Sequence, residues 1–321
     1  MDFSLYSGMP VLVTGGAGFI GSHLVRGLLA ADANVLVLDN FCSGSMENLS
    51  ELGSRIAIMT GDITSPEDCR RAVAERTVVF HLAALGSVPR SVEEPVKYNH
   101  VNIGGTLNIL DAAHKAGVKR VVYSASSSAY GDTPVLPKVE TMTPSPKSPY
   151  AVTKLVGEYY ARVYADVYGL STMCLRYFNV FGPRQSPKSQ YAAVIPAFLD
   201  SILKGQNPRI YGDGEQTRDF CFVQNVVYAN MLAGIHEDRL AGASVNIACG
   251  ENISLNAMLA KMQAVLGKTV KPEYLPPRAG DVRDSLADIS AAKKILSYHP
   301  QVMFNEGLTT TIRWYEKHLS R

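Results

Sequence analysis

Residues 11 to 21 read Val-Leu-Val-Thr-Gly-Gly-Ala-Gly-Phe-Ile-Gly. The apolar run that opens this stretch predicts a strand, and the apolar-periodic segment that follows it, up to Ala31, predicts a helix. Between them, Gly15, Gly18 and Gly21 form a GxxGxxG turn, whose spacing lets backbone amides and a helix N-terminus approach a pyrophosphate. A glycine cluster is also compatible with a plain tight turn, but the flanking strand and helix supply the context that a phosphate site requires.

The same rhythm of strand and helix continues to residue 178. The further predicted strands are 35–38, 56–59, 78–84, 121–126 and 173–178, and the longer predicted helices are 102–116 and 150–168. Strands that alternate with helices in this way indicate an α/β fold with a Rossmann-type doubly wound parallel sheet. Binding sites in such sheets lie beyond the carboxyl ends of the strands.

Acidic and small residues follow the ends of the predicted strands. Asp39 ends the second strand about 20 residues beyond the glycines, where its carboxylate can accept hydrogen bonds from a ribose 2'-OH and repel a 2'-phosphate, which favours NAD over NADP. The alternative for Asp39 is a helix cap or a loop carboxylate. Asp62 and Ile63 are placed to reach the adenine ring. The small Ala83 and Ala84 would let the backbone pass near the cofactor, or serve packing alone.

Tyr150 and Lys154 form a YxxxK pair on the predicted helix 150–168, and residues four apart on a helix share a face. A free tyrosine has a pKa of about 10, so it is a poor base unless a neighbouring cation stabilises the phenolate, as Lys154 and the nicotinamide charge would. Ser126, at the end of the fifth strand, could hydrogen-bond the same substrate hydroxyl. YxxxK alone is often a surface or packing pair, whereas the ordered set of glycine turn, Asp39, Ser126 and YxxxK indicates a catalytic site.

Composition excludes several classes of protein. The 321 residues are 46% hydrophobic, enough for a packed core, and the net charge of +2 gives no electrostatic case for nucleic acid or a membrane surface. No run of 18 apolar residues occurs, and the segment before the first strand is too short and too poor in positive charge for a secretory signal. Five scattered cysteines without a CxxC pair favour reduced thiols over a metal or disulfide framework. We therefore expect a cytoplasmic protein with no metal site and no nucleic-acid or membrane partner.

Seven segments resemble the motifs of extended short-chain dehydrogenase/reductases, and the likeness is greatest to the nucleotide-sugar epimerase branch. These segments are 15–21, 39–44, 81–84, 126–131, 148–154, 175–184 and 212–219. The likeness covers nearly the whole chain and implies an NAD-dependent enzyme that acts on a UDP-linked sugar. It also implies a homodimer formed through two helices per subunit, including the helix that bears YxxxK, although an apolar helix face can equally pack on its own sheet.

The resemblance also implies two domains and further cofactor contacts. After residue 179 the strand rhythm loosens among prolines. We therefore expect an NAD-binding Rossmann domain at 1–179, with a return segment near 220–236, and a smaller α/β C-terminal domain at 180–321 that binds the UDP-sugar. Further cofactor contacts are implied for Phe19, Ile20, Asn40, Phe41, Ser43, Gly44, Leu82, Asn102, Ser124 and Tyr177.

The resemblance implies that the smaller domain recognises UDP, with Arg218 and Arg278 on the pyrophosphate, because a guanidinium presents paired donors to phosphate oxygens. Either arginine could instead form a surface ion pair. Asp281 is expected to contact the ribose of the nucleotide. Further substrate contacts are expected from Gly86, Ser87, Ser126, Ser127, Ser128, Asn179, Gln185, Ala193, Val194, Tyr211 and Ser285. The serines among them could instead serve only as turn residues.

The lack of two carboxylates in the sequence favours a 4-epimerase over a dehydratase. Sugar-nucleotide 4,6-dehydratases that resemble it carry an Asp-Glu pair where Ser127 and Ser128 stand here, so no acid and base for eliminating water are evident. A 4-epimerase needs neither of these carboxylates. Tyr150 removes the 4-OH proton as hydride passes from C4 to NAD, and the 4-keto sugar then turns in the pocket and takes the hydride back on its other face.

The sugar is expected to carry an acetamido group. The runs 86–91, 126–128, 191–196 and 280–285, together with Gln185, look like those of UDP-N-acetylglucosamine 4-epimerases. Ser285 stands where the resembling epimerases that reject acetamido sugars carry a bulky tyrosine, and a small side chain opens space near C2 of the sugar. We therefore expect UDP-GlcNAc and UDP-GalNAc as substrates, with UDP-Glc and UDP-Gal as a second pair.

Two rival functions remain at this point. A UDP-sugar oxidoreductase or decarboxylase, including a 4-epimerase of uronic acid sugars, would use the same NAD site, but a uronate calls for an additional cation near C6. A catalytically silent module that binds NAD or a sugar nucleotide would be expected to lose Tyr150 or Lys154, and both are present. An epimerase differs from the first rival in showing turnover without net release of NADH.

Overall fold

Parallel strands form the central sheet of the protein, for which a computed structural model describes residues 2–186, 193–277 and 283–319. The strands, in chain order, are β1 (Pro10–Thr14), β2 (Asn34–Asp39), β3 (Ala57–Thr60), β4 (Val78–His81), β5 (Arg120–Ser126), β6 (Ser171–Tyr177), β7 (Val180–Phe181), β8 (Arg209–Tyr211), β9 (Thr217–Arg218), β10 (Cys221–Phe222), β11 (Ala241–Ile247), β12 (Ile253–Ser254) and β13 (Glu273–Leu275). Within the described residues, seven of them form one all-parallel sheet in the order β3-β2-β1-β4-β5-β6-β11. The predicted doubly wound parallel sheet is confirmed.

Helices cover both faces of this sheet and build a second lobe. They are α1 (Phe19–Ala30), α2 (Pro66–Val73), α3 (Val88–Glu93), α4 (Pro95–Tyr98), α5 (Gly105–Lys115), α6 (Pro149–Tyr168), α7 (Val194–Leu203), α8 (Val223–Gly234), α9 (Leu255–Leu266), α10 (Ser290–Leu296) and α11 (Phe304–Leu319). Among the described residues, no helix is long and apolar enough to cross a membrane.

Alternate side chains of each strand pack on opposite faces of the sheet. Val11 and Val13 of β1 belong to an apolar cluster that includes residues of α1 and α8. Leu12, between them, packs with residues of α2, α5 and α6 on the other face. Strands buried on both faces are typical of parallel sheets covered by helices on both sides. The carboxyl ends of the strands therefore meet at one edge, beyond which the site is built.

Two elements differ by three residues from the bounds that the sequence predicts. β4 ends at His81 and not at residue 84, because the amides of Leu82 and Ala83 donate to the backbone oxygen and the hydroxyl of Thr14, both at 3.2 Å. The chain thus leaves the sheet towards the glycine turn. α5 begins at Gly105 and not at residue 102, because a π-helical turn at Asn99–Gly104 precedes it.

The seventh strand, β11, is absent from the predicted elements. Gly242, Ser244 and Asn246 interrupt its apolar pattern, so the sequence gives no clear strand signal. In the fold these polar side chains are paired internally. The Ser244 hydroxyl donates to Glu158 at 3.0 Å, and the Asn246 side-chain oxygen accepts from the Tyr130 hydroxyl at 2.6 Å. Such pairing removes the cost of burying them.

The second lobe packs around its own apolar cluster. Phe181 of β7 and Phe222 of β10 meet Phe304 of α11 there, beside residues of α7 and α9. β7 pairs in parallel with β10, which leads directly into α8 on the face of the central sheet. The lobe is therefore joined to the sheet at the carboxyl end of β6.

Candidate active site

The glycine turn after β1 leaves no room for side chains. Gly15 has a φ of +69°, and a Cβ there would lie 2.8 Å from the Ala83 Cα. A Cβ on Gly21 would lie 2.1 Å from the Gly15 backbone oxygen. α1 begins after Gly18 without a side-chain cap, so its first backbone N–H groups remain available to an anion. The turn therefore fits the pyrophosphate of a dinucleotide.

Asp39 is 8% exposed at the end of β2 and holds this turn in place. Its Oδ2 accepts a hydrogen bond from the Ala17 amide at 2.9 Å, and its Oδ1 accepts from the Phe41 amide at 2.8 Å. Each carboxylate oxygen keeps a further lone pair, which a ribose hydroxyl can use. Gly44 also packs closely against the glycine turn, since a Cβ on it would lie 2.9 Å from the Ala17 carbonyl carbon.

The residues predicted to be near the adenine have separate environments. The Oδ1 of Asp62 accepts from the amide and hydroxyl of Thr64, both at 2.8 Å, and its Oδ2 accepts from Asn40 at 2.7 Å. Burial raises the pKa of Asp62, but these hydrogen bonds outweigh it and the pKa is lowered. Ile63 lies in the apolar core. Leu82 and Ala83 are half-buried where the chain turns away from β4.

Tyr150 lies in the first turn of α6, and the Ser148 hydroxyl caps that helix by accepting from the Ala151 amide at 3.2 Å. Burial raises the pKa of the Tyr150 phenol, while a hydrogen bond with Ser126 at the end of β5 lowers it. The Ser128 hydroxyl in turn donates to the Ser126 hydroxyl at 2.9 Å. The structure thus brings the predicted base and the predicted substrate-holding serine together.

Lys154 is 5% exposed, one helical turn after Tyr150. Its ammonium group donates to the backbone oxygen of Ser124 at 2.7 Å and to the Ser124 hydroxyl at 3.2 Å. Burial lowers the pKa of Lys154 to about 7, although Glu158 raises it. The sequence predicts that Lys154 and the charge of the nicotinamide together stabilise the Tyr150 phenolate, against the burial that raises the pKa of Tyr150. The phenol therefore needs further positive charge, which the nicotinamide ring of NAD would supply.

A cavity of about 290 Å³ opens between β7, β8, β9 and α7. Six residues predicted to contact the substrate line it: Asn179, Gln185, Ala193, Val194, Tyr211 and Arg218. The Nη1 of Arg218 donates to the backbone oxygens of Thr217 and Arg283, both at 2.8 Å, which fixes the guanidinium at the cavity. The other two predicted ligands of the nucleotide, Arg278 and Asp281, lie outside the described residues.

Asn179 and Ser285 meet although they are 106 positions apart in the chain. The Asn179 amide nitrogen donates to the Ser285 hydroxyl at 3.0 Å and to the Asp219 backbone oxygen at 3.1 Å. Asn179 lies just beyond β6 with a φ of +27°. The predicted selectivity residue therefore lies beside a residue of the cavity wall.

Comparison with known proteins gives the family. The profile of the "NAD dependent epimerase/dehydratase family" matches residues 11–248, about three quarters of the chain. The chain belongs to this family. A UDP-glucose 4-epimerase of Mycolicibacterium smegmatis is 39% identical to it over 312 residues, which are 96% of this chain and 98% of that protein.

Solved structures agree with this assignment. A UDP-N-acetylglucosamine 4-epimerase from Methanobrevibacter ruminantium, in complex with UDP-N-acetylmuramic acid, is 41% identical with a TM-score of 0.92, covering 97% of this chain and 99% of that one. The Thermus thermophilus UDP-glucose 4-epimerase complex with NAD is 36% identical with a TM-score of 0.89, covering 97% and 100%. The predictions of an extended short-chain dehydrogenase/reductase, of NAD as cofactor and of a UDP-sugar 4-epimerase are confirmed. The relatives differ in the sugar that they are named for.

Three side chains of this epimerase predicted to touch the cofactor have partners within the protein. The Asn102 amide bonds the backbone nitrogen and oxygen of Leu85, at 2.8 and 3.1 Å, and the Thr153 hydroxyl at 3.0 Å. The Ser124 hydroxyl accepts from Lys154, and the Tyr177 hydroxyl is bonded to Asn230 of α8. The remaining predicted contacts, Phe19, Ile20, Ser43 and Ala84, are half-buried or exposed around the turn and the β4 end. Direct contact with NAD stays a prediction for all of them.

The predicted sugar-binding serines have local partners as well. The Ser87 hydroxyl caps α3 by accepting from the Arg90 amide at 3.3 Å, and its own amide donates to the Tyr98 hydroxyl at 3.2 Å. A Cβ on Gly86 would meet no atom within 4 Å, so this loop faces open space. Ser127 begins the 3-10 turn Ser127–Tyr130 that follows β5. Sugar contacts by these serines stay predictions.

Sequence reasoning missed an ion pair behind the catalytic helix of the epimerase. Glu158 lies one turn beyond Lys154 and accepts from the Arg176 guanidinium of β6 at 2.7 to 3.1 Å. Arg176 also lies 4.8 Å from the centre of the Tyr130 ring. The signal was present in the sequence, because Tyr150, Lys154 and Glu158 are each four residues apart on one helix face. Arg209 of the cavity wall carried no such signal.

Proposed function

We propose that the enzyme interconverts UDP-GlcNAc and UDP-GalNAc, and turns over UDP-Glc and UDP-Gal as a second pair. The observation that carries this proposal is the small side chain of Ser285 beside Asn179 at the cavity. In the epimerases that this chain resembles and that reject acetamido sugars, a tyrosine stands at this position. A serine leaves the volume of that ring free for a substituent at C2.

The cavity offers donors and acceptors for a nucleotide diphosphate. The buried Oε1 atoms of Gln185 and Gln216 accept no hydrogen bond from the described residues, and both side chains line the cavity. A base with N–H donors, such as uracil, would satisfy these acceptors. Arg218, with Arg278, would hold the pyrophosphate, because guanidinium groups bond phosphate oxygens in pairs.

NAD would be held by the glycine turn, Asp39 and Asp62, and it supplies a hydride acceptor and donor for C4 of the sugar. Ser126 would hold the 4-OH for Tyr150, whose phenolate oxygen takes the hydroxyl proton and later returns it. The protonated ammonium group of Lys154 would stabilise the Tyr150 phenolate. Burial lowers the pKa of Lys154 to about 7, so near neutral pH the protein can hold it in either form.

Product analysis of the purified enzyme tests the substrate. Conversion of UDP-GlcNAc to UDP-GalNAc without net NADH is the expected result, and Ser285→Tyr should abolish it while UDP-Glc conversion persists. Turnover of the non-acetylated pair alone in the wild type would defeat the proposal. UDP-glucuronate in the same panel tests the rival uronate epimerase or decarboxylase, and net NADH release would indicate an oxidoreductase.

We propose further that a second copy packs on α6 to give a homodimer. Val152, Tyr159, Val163 and Val167 form one stripe along this helix and are 43%, 56%, 46% and 68% exposed. An apolar stripe of this kind is typical of a helix that packs against another subunit. Light scattering should give twice the chain mass, and Val163→Glu should give the monomer; a monomeric wild type would contradict the proposal.

We also keep as proposals the division into an NAD-binding part, 1–179 with its return near 220–236, and a UDP-sugar-binding part, 180–321. β11 and the helix α8 extend the first part beyond residue 179, since both pack on the central sheet. A cytoplasmic location is supported by the five free cysteines, which are typical of a reducing compartment.

A further inference from the structure

A buried carboxylate lies where separate segments of the chain meet. Asp219, between β9 and β10, has an exposure of 0%. Its Oδ1 accepts from the Cys249 amide at 3.0 Å, and its Oδ2 accepts from the amides of Gly250 and Ala287, both at 3.1 Å. One carboxylate thus fixes the backbone after β11 and the backbone before α10. Charged acceptors make the strongest hydrogen bonds to backbone amides.

The backbone of the same residue contacts both residues proposed to face the sugar. The Asp219 backbone oxygen accepts a hydrogen bond from the Asn179 side-chain amide at 3.1 Å. The Asp219 backbone amide donates to the Ser285 hydroxyl at 3.4 Å. We call residues 283–287 the strap. The strap runs along β9, since Thr217 bonds the backbone of Arg283 and of Ser285, both at 3.1 Å. Asp219 therefore joins the strap to the cavity wall.

This carboxylate is costly to keep. Burial raises the pKa of Asp219 to about 6, although the three amide bonds lower it. Near neutral pH most of the group is still ionised, and among the described residues only backbone amides bond its oxygens, so the buried charge destabilises the fold. An asparagine of the same shape would avoid the charge, but its NH2 group cannot accept from an amide. The three backbone amides that converge on this carboxylate indicate that it positions the segments to which they belong.

We propose that Asp219 is a positioning residue for sugar selectivity, which holds the strap so that the Ser285 hydroxyl stays against Asn179. The inference rests on the proposed function in taking Ser285 as the residue that decides between acetylated and non-acetylated sugars. Asp219 acts through Ser285 and Asn179 and does not touch the reacting atoms. Its loss should therefore change the affinity for the sugar and the choice between sugars more than the rate of the bound complex.

The variant Asp219→Asn tests this, with Asp288→Asn as matched control. The Asp288 carboxylate accepts from the Ser290 amide at 2.7 Å and bonds the Ser290 side chain as well, both local contacts that an asparagine oxygen can also make. We expect Asp219→Asn to raise the KM for UDP-GlcNAc about tenfold, the effect of one charge-assisted hydrogen bond, with kcat changed less than about twofold. The ratio of kcat/KM for UDP-GlcNAc to that for UDP-Glc should change as well. The control should match the wild type.

Two results would overturn the inference: an unchanged KM and sugar ratio, or equal loss of kcat for both sugars, which marks general damage. If Asp219→Asn does not fold, Ser285→Ala carries the test, because it cuts the bond to Asn179 and leaves the three amide bonds in place. The same shift in KM and in the ratio supports the inference, and no shift overturns it. If the wild type accepts only UDP-Glc, the substrate proposal fails but the role of Asp219 does not. The KM of Asp219→Asn for UDP-Glc then tests that role.

Discussion

The NAD end and the sugar end of the site are built in different ways. At the NAD end, neighbours in the chain form the turn, and Gly15 and Gly21 serve through the absence of a side chain. At the sugar end, Asn179 and Ser285 meet only because the lobes fold together. We infer that the two lobes have different roles in the reaction. The first lobe, made of the central sheet and the helices that cover it, would decide whether the reaction runs, and the second lobe would decide which sugar reacts.

The proposed catalytic base, Tyr150, gives the largest effect expected from the first lobe. Tyr150→Phe should lower kcat on the order of 1,000-fold and leave bound NAD in place, because only the proton transfer is lost. Turnover and NAD content of the purified variant measure this. Tyr168→Phe, at the exposed C-terminal end of the same helix, is the control and should match the wild type. A Tyr150→Phe enzyme with near wild-type turnover would remove the chemistry from the first lobe.

The glycine turn should respond to a single methyl group. Gly15→Ala places a Cβ 2.8 Å from backbone atoms of Ala83 at a φ of +69°, so we expect a loss of about 2–4 kcal/mol in unfolding free energy and loss of NAD. Gly8→Ala has a similar φ of +67° but meets no atom within 4 Å, and should cost only about 1 kcal/mol. Urea unfolding and NAD content check both. Equal effects would show that strain, not close approach, fixes this turn.

The proposed pyrophosphate ligand of the second lobe, Arg218, should affect binding and not chemistry. Arg218→Lys keeps the charge but loses the paired donors, so we expect KM for the UDP-sugar to rise about tenfold at nearly constant kcat. Arg162→Lys, at an exposed pair with Asp166 at 2.7 Å, is the control and should have no effect. Steady-state kinetics distinguish the cases. A fall in kcat alone would break the division between the lobes.

Lys154 should affect stability through pH. Its pKa is lowered by burial to about 7 in the fold, against 10.5 for the ordinary group, so the unfolded chain binds more protons between these values. Its contribution to stability therefore rises with pH from about 7 to 10.5, by at most about 1.4 kcal/mol per pH unit. Lys154→Met should lack this rise. Unfolding free energies at pH 7 and 9 test it, and parallel changes in both proteins would contradict the lowered pKa.

The same contrast explains what the sequence could predict. The first six strands of the sheet are apolar runs, Asp39 and Ser126 lie at strand ends, and Tyr150 lies in the first turn of α6, so contiguous sequence carries the signal. β11 was missed because its polar residues are satisfied by partners such as Glu158, which only the fold brings near. Periodicity cannot reveal a pairing between distant segments.

The sugar end shows the same limit. Ser285 could be identified by resemblance, but its contact with Asn179 and the proposed role of Asp219 depend on four segments meeting. Equally, the sequence predicts Lys154 beside Tyr150, but the hydrogen bond from its ammonium group to the Ser124 backbone oxygen comes from the fold. Desolvation, which dominates the pKa of both groups, is a property of packing and cannot be read from spacing.

The central claim is that hydride leaves C4 of the sugar and returns to it within one enzyme molecule. UDP-GlcNAc carrying deuterium at C4 tests it most directly, with the product analysed by NMR and mass spectrometry. We predict UDP-GalNAc that retains the deuterium at C4, with no label in solvent and no net NADH. Loss of the label to water would contradict the account, because it would mean proton exchange at carbon and not hydride transfer.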